Sequence, residues 1–303
     1  MPNHDITGNI LQVDGNISNL SEDENDINDT INETDDEVDS EPVPTIFFPI
    51  PDQNVSPGKP LKFDVKISED EESSPLPLCL MLNCRSIYNK AQNLREILNT
   101  IGPSVTLLSE TWERETFRLD AILKSRHFKS VSYFRLNRKP GGGCAILYDK
   151  NRLTRIHSEI SIPENIEATC LVLKPIHNKK DTLTNIKHIL VGSIYVSPKS
   201  RFKSETIDHI IETIHTMRAK FNNEIKFLIG GDFNRLDVSD ILESYGALKQ
   251  VCSVPTRKQA TLDILITDLH TYYHPPTTLP PLQVDSDKTG KDSDHGCGTV
   301  CAY

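Results

Sequence analysis

From Leu78 onward, short apolar runs recur along the chain, and most stop at a polar residue. The sharpest case is Phe227–Leu228–Ile229–Gly230–Gly231–Asp232–Phe233–Asn234, where two glycines end the run and an acid and an amide follow. Runs this short have the length of β-strands buried on both faces, and such strands need helices or a second sheet to cover them. In extended backbone alternate side chains share a face, so Asp232 and Asn234 are expected to point the same way. The glycines permit close approach of another backbone or of a phosphate. The same eight residues also fit a plain strand end followed by an Asx-type turn, and only the rest of the chain separates the two readings.

Charge divides the 303 residues in two. Residues 1–75 carry three lysines, no arginine and 19 acids, a net −16, while the other 30 bases and 24 acids leave a body of +6. Ser21–Glu41 is almost continuous Asp, Glu, Asn and Ser, too polar to offset the entropy of ordering. Residues 1–75 are therefore expected to be a disordered acidic leader, with the short apolar patch Ile46–Ile50 as linker, and residues 76–303 the folded domain. A mildly basic body is compatible with a polyanionic partner without establishing one. The seven cysteines form no Cys-x-x-Cys pair and sit mostly in apolar runs, the pattern of reduced thiols in an intracellular protein. No stretch approaches the roughly 18 apolar residues of a membrane span, so no membrane partner is expected. The N-terminus lacks the basic and apolar regions of a secretory signal.

The domain starts with strand Leu78–Leu82, then a helix marked by Ala91, Leu94, Leu98 and Ile101, then strand Val105–Ser109. Asn83 and Glu110 stand at the carboxyl ends of these two strands, where sites gather in layered α/β proteins. A short helix is expected over Thr116–Lys124, strands over Val131–Leu136 and Cys144–Tyr148, and further strands over Ala168–Leu173 and His188–Tyr195. Ile207, Ile210, Ile211, Ile214 and Met217 mark an amphipathic helix. Strand Ile225–Gly230, helix Val238–Tyr245 and strands Lys249–Val254, Thr261–Thr267 and Cys297–Ala302 complete the order, with a proline-rich connection at Pro275–Leu282. Many short strands, few helices and mixed pairing predict a two-sheet α/β sandwich.

The polar residues that end or interrupt strands are Asn83, Glu110, Tyr195, Asp232, Asn234, Asp263, Asp294 and His295. Each alone has an ordinary explanation, as a cap, a surface acid or a core tyrosine. Asp263 is the least comfortable, because an acid between Leu262 and Ile264 needs a partner to offset desolvation. Asp294–His295 offers one, since a buried carboxylate orients an imidazole. Glu110 and Asp294 are hard oxygen ligands of the kind that suit Mg²⁺. Asn83 and Asn234 can donate to phosphate oxygens without adding negative charge, Asp232 can position and deprotonate a water, and His295 can donate to the phosphate. This set suits metal-assisted phosphodiester hydrolysis.

Leu82–Asn83, Ser109–Glu110–Thr111–Trp112, Gly192–Tyr195, Gly230–Asn234, Thr261–Leu262–Asp263 and Ser293–Asp294–His295, in this order, resemble the endonuclease/exonuclease/phosphatase superfamily. With Asn83–Ser86, Asn89–Lys90 and Gly141–Gly143, the chain is more narrowly similar to the apurinic-type endonuclease domain of non-LTR (LINE-like) retrotransposons, over residues 78–302. The resemblance implies a DNase I-like fold: a four-layer sandwich of two packed mixed β-sheets flanked by helices. It implies Glu110 as principal Mg²⁺ ligand, with Mn²⁺ a possible substitute and Asn83 and Asp294 beside the metal. Asp232 would activate or position water, Asn234 hold the phosphate and Asp232, Asp263 pair with His295, and Tyr195 contact the scissile phosphate or leaving group. Whether Asp232 or His295 is the base stays open. The implied partner is duplex DNA, nicked on one strand to leave a 3′-hydroxyl, and the implied location is nuclear. The basic loops Arg135–Lys139 and Arg257–Lys258 fit phosphate-backbone contacts. Other superfamily members act on RNA, nucleotides or lipid head groups, and a binding module that has lost catalysis is a further alternative. A retrotransposon polyprotein would continue into a reverse transcriptase, whereas this chain stops just after the last expected strand, and the acidic leader is no part of the family pattern.

Overall fold

Strand β2 (Cys79–Asn83) shows how the layers form: Cys79 and Met81 face one way, Leu80 and Leu82 the other, and both faces are buried. A strand apolar on both sides has to be covered twice. In the computed structural model the described residues are 45–46, 78–88, 90–135, 141–176, 186–252, 255–256, 260–273, 277–279, 282 and 297–301, all within the unit Ser40–Tyr303. One sheet runs β1 (Thr45–Ile46), β12 (Thr277–Thr278), β13 (Cys297–Cys301), β2, β3 (Val105–Ser109), β5 (Cys144–Asp149) and β4 (Phe128–Tyr133). The other runs β10 (Lys249–Gln250), β11 (Asp263–Thr267), β9 (Ile225–Asp232), β8 (His188–Tyr195), β7 (Glu167–Pro175) and β6 (Leu153–Ile156).

Cys79, Met81, Val105, Leu107 and Ile146 of the first sheet pack on Leu171, Leu173, Ile189, Val191, Leu228 and Leu265 of the second. Helices α1 (Ala91–Ile101) and α2 (Leu119–Leu123) cover the outer face of the first sheet through Leu94, Leu98, Ile101 and Leu119. Helices α3 (Lys203–Lys220) and α4 (Ser239–Ser244) cover the second through Ile210, Ile214, Met217 and Ile241. The result is the expected four-layer sandwich. Within it β2–β3 and β8–β9 are parallel pairs, so their carboxyl ends emerge together at one end.

One glycine sets how closely the sheets meet there, and the next lets β9 lie against β8. Phe227 and Ile229 of β9 face the helices and Leu228 faces the opposite sheet, as Gly230 then must. A Cβ on Gly230 would lie 2.7 Å from Met81 Sδ and 3.0 Å from Leu107 Cδ1, both in the opposite sheet. Gly231 has φ +136°, and a Cβ there would overlap the Ile194 carbonyl oxygen of β8. The approach of the sheets beside Asp232 thus depends on the side chain missing at Gly230.

The departures from expectation lie at sheet edges. β4 covers Phe128–Tyr133 rather than Val131–Leu136, because β5 fixes its register from Phe128 opposite Asp149 to Tyr133 opposite Cys144. β6 was not expected; its middle residues Thr154 and Arg155 are both exposed, so it has no alternating pattern, and it is held by pairing with β7. Thr45–Ile46, from the stretch assigned to the leader, pairs with Thr277–Thr278, from the stretch expected to be only a connection. Two-residue strands are too short to show a period and depend on their neighbours.

Gly231→Ala is expected to lower stability by about 1–3 kcal/mol through overpacking against β8, seen as a lower urea midpoint at unchanged slope. Gly246→Ala, where a Cβ would meet nothing within 4 Å, is the control and should stay within about 0.5 kcal/mol of the parent.

Candidate active site

At the end where β2, β3, β8 and β9 emerge, the inner faces of the sheets change from apolar to polar. The inward residues of β2 are Cys79, Met81 and Asn83; those of β8 are Ile189, Val191, Ser193 and Tyr195; those of β9 are Leu228, Gly230 and Asp232. β11 runs the opposite way to β9 and begins its inward series with Asp263, directly across from Asp232. Tyr195 lies across from Asp232 on the other side. A row Tyr195–Asp232–Asp263 therefore crosses three strands at one register.

At this end the Asn83 amide ties the two sheets together. Asn83 Nδ2 donates to Asp232 Oδ2 at 2.8 Å and to Glu110 Oε1 at 3.0 Å, while Asn83 Oδ1 accepts the Arg85 N–H at 3.1 Å. Two residues earlier in β8, Ser193 Oγ donates to the Leu108 carbonyl at 3.0 Å, a second bond between the sheets. Both hydrogens of the Asn83 amide are thus engaged with carboxylates. The expected donation from Asn83 to phosphate is replaced by a role holding two acids at a fixed spacing.

Glu110 follows β3 in the left-handed region, φ +50°, and Arg85, Ser86, Trp112 and Asn234 at this end also have positive φ. Such backbone costs on the order of 1–2 kcal/mol per non-glycine residue, and its concentration is a mark of functional sites. It is held by a ladder that outlasts the strands: the Ser86 N–H donates to the Glu110 carbonyl at 2.9 Å, the Ile87 N–H to Thr111 at 3.1 Å and the Trp112 N–H to Gly142 at 3.0 Å.

Asn234 corrects an expectation. The chain leaves extended geometry after Asp232, so the two side chains are not brought together by strand alternation. The Asn234 N–H instead donates to Asp232 Oδ1 at 2.9 Å, an Asx turn, and Asn234 Nδ2 donates to the Val196 carbonyl at 2.6 Å. The turn is itself part of the site: it occupies one Asp232 oxygen while Asn83 occupies the other. Asn234 is left a positioning role, its amide engaged with backbone rather than held out for a phosphate.

Asp263 has a partner the sequence did not suggest. Thr256, fully buried, takes the N–H groups of Leu262 at 2.9 Å and Asp263 at 3.1 Å on its hydroxyl oxygen, and its side chain also hydrogen-bonds the Asp263 carboxylate. Nothing in the loop sequence marks this threonine. Asp294 and His295 lie outside the described residues, as do Arg138, Lys139, Arg257 and Lys258.

Burial governs the electrostatics. Asp232, 4% exposed, is held well above the usual carboxylate range by desolvation and then by the charges of Asp263 and Glu110, against which the hydrogen bonds from Asn234 and Asn83 work. Asp263 is pushed up to about 7, chiefly by burial, with Thr256 opposing and Glu110 adding. Burial also raises the Tyr195 phenol, reinforced by Glu110, Asp232 and Glu167 and opposed by Arg135. The phenol is therefore protonated at neutral pH.

The donor set fits a hard divalent cation. Carboxylate oxygens of Glu110 and Asp232 both reach one amide nitrogen, and their mutual repulsion is the kind a cation relieves. Among the described residues no group of three or more His, Cys, Asp or Glu side chains is placed to hold a metal ion.

No protein-family model matches the sequence, and neither does any curated protein. Among solved structures, similar folds include the AP endonuclease LMAP from Leishmania major, 12% identical, covering 78% of this chain and 91% of that one, with a TM-score of 0.50. An endonuclease/exonuclease/phosphatase from Bacteroides vulgatus is 14% identical over 75% of this chain and 98% of that one, with a TM-score of 0.47. The endonuclease domain of TRAS1, a telomere-specific non-LTR retrotransposon, is 17% identical over 75% and 97%, with a TM-score of 0.45.

Because Asp263 holds its proton more tightly folded than unfolded, its contribution to stability is full below the unfolded value near 4 and is lost as pH rises toward about 7. Asp263→Asn should therefore gain in Tm relative to the parent as pH rises from 4 to 8 in chelator, measured by calorimetry. A difference independent of pH would contradict this electrostatic picture.

Proposed function

We propose that this chain, which has the DNase I-like fold of the endonuclease/exonuclease/phosphatase proteins, is a Mg²⁺-dependent endonuclease that nicks one strand of duplex DNA and leaves a 3′-hydroxyl. The observation that carries the reading is the Asn83 bridge, which sets Glu110 from one sheet and Asp232 from the other around a single amide. The retroelement-type motifs and the basic body favour DNA among phosphodiesters, and nuclear location is the corresponding proposal.

Glu110, with Asn83 and Asp294, would hold Mg²⁺ or Mn²⁺, which when bound neutralises charge building up on the phosphate. Asp232 holds the attacking water, and its two hydrogen bonds fix the direction of its carboxylate. Asp263, opposite Asp232 in the same row, is the partner assigned to His295. The Tyr195 phenol, kept protonated by its surroundings, donates a hydrogen bond to a phosphate oxygen or to the departing O3′. Water attacks phosphorus, the P–O3′ bond breaks, and the leaving oxygen takes up a proton.

Supercoiled plasmid incubated with the full chain and Mg²⁺ should be converted to the nicked circle. Chelator should stop the reaction, added Mg²⁺ or Mn²⁺ should restore it, and Glu110→Gln and Asp232→Asn should each reduce it by about 10²-fold or more. Turnover of RNA, nucleotides or lipid head groups without nicking would reassign the substrate. DNA binding without cleavage of any phosphodiester would make the chain a binding module.

A further inference from the structure

The polar row does not end at Tyr195. One strand further on, Glu167 of β7 pairs with Tyr195, giving Glu167–Tyr195–Asp232–Asp263 across four strands at a single register. Glu167 shares strand parity with Leu171 and Leu173, which lie between the sheets, so it faces inward like the others. Its carboxylate reaches back to the first sheet. Oε2 accepts the Gly143 N–H at 2.8 Å, and Oε1 forms an ion pair with Arg135 Nη2.

The guanidinium lies against bare backbone. A Cβ on Gly142, at φ +72°, would sit 2.5 Å from Arg135 Cζ and would also overlap Arg135 Nε and the Glu167 carboxylate. At Gly141 a Cβ would lie 3.6 Å from Arg135 Nη1 and 3.9 Å from Trp112 Nε1, so guanidinium and indole flank that glycine together. The Arg135 side chain is 24% exposed and Trp112 37% exposed. Arg135 is near enough to Tyr195 for its charge to act on the phenol. A cation oriented by its ion pair and a part-exposed indole thus flank one glycine beside the row of carboxylates.

We propose that Arg135 and Trp112 form a nucleic-acid clamp beside the catalytic row, Arg135 binding a backbone phosphate and Trp112 stacking on the adjoining base or sugar. Glu167 and the Gly141–Gly143 backbone position the guanidinium. The clamp rests on the phosphodiesterase reading above and narrows its substrate to a nucleic-acid strand. A planar guanidinium fork matches phosphate oxygens, and an indole face binds bases with little sequence preference. An inositol or choline head group offers the phosphate without a flat aromatic neighbour.

The test is anisotropy of a fluorescein-labelled DNA duplex titrated with the full chain across a salt series, in chelator so that no strand is cut. Arg135→Ala should weaken binding roughly tenfold and reduce the slope of log K against log salt by about 1. Trp112→Ala should weaken it roughly tenfold with the slope unchanged. Arg135→Lys should keep the slope, and Glu167→Gln should keep it as well. An unchanged slope in Arg135→Ala overturns the clamp, as does equal loss in Arg135→Ala, Arg135→Lys and Glu167→Gln, which would mark the pair as purely structural. Absence of wild-type binding overturns it too. Plasmid nicking reports separately on the catalytic centre, so a chain that nicks while failing these tests loses the clamp and keeps the catalytic reading.

Discussion

The amide of Asn83 stands between two carboxylates that belong to different sheets and repel one another. It offers each a hydrogen without adding charge of its own, which a lysine or arginine in the same place would do. Asp232 is then held on both oxygens, by Asn83 from across the sandwich and by the Asn234 N–H from its own turn. Burying an acid this deeply is costly, and the two hydrogen bonds offset only part of that cost, since Asp232 stays well above its usual range. Burial is the larger part of what remains, and the charges of Asp263 and Glu110 add to it.

That interaction depends on how closely the sheets close. Gly230 faces Met81 and Leu107 where any side chain would hold the layers apart, and Gly231 lets β9 pass the carbonyl of Ile194. The glycines that end the apolar run are therefore a packing requirement whose consequence is chemical. Inner-face alternation does the rest: the parity that buries Ile189, Val191 and Leu228 places Tyr195 and Asp232 on the same face one step beyond the core. The polar row is the edge of the hydrophobic core, and its extension to Glu167 follows from the same parity on β7.

Strain is concentrated where the chemistry is proposed. Glu110, Arg85, Ser86, Trp112 and Asn234 hold left-handed backbone in loops that continue the hydrogen-bond ladder past the strand ends. The strands end in register and the loops beyond them stay paired. The three-glycine segment before β5 has the complementary property of bare backbone, against which the Arg135–Glu167 pair packs.

The sequence alone determined the layer architecture and marked most of the residues of the candidate site. Short doubly apolar runs require cover on both sides, and polar residues at their ends mark where that cover stops, both being local properties of a strand. Asn83, Glu110, Tyr195, Asp232 and Asp263 were legible for that reason. Tertiary structure decided who meets whom. Asn83 and Asp232 are 149 residues apart and in different sheets, Thr256 reaches Asp263 from an unmarked loop, and Arg135, which in sequence was one cation of a basic loop, is oriented by a glutamate 32 residues away. Even for the nearest pair, Asp232 and Asn234, sequence fits both strand alternation and an Asx turn, and the fold decides for the turn. Side-chain periodicity is written into adjacent residues, but register across strands, closure between sheets and the sign of φ after a strand end are set by backbone pairing and packing over long separations, so they emerge only once the chain is folded.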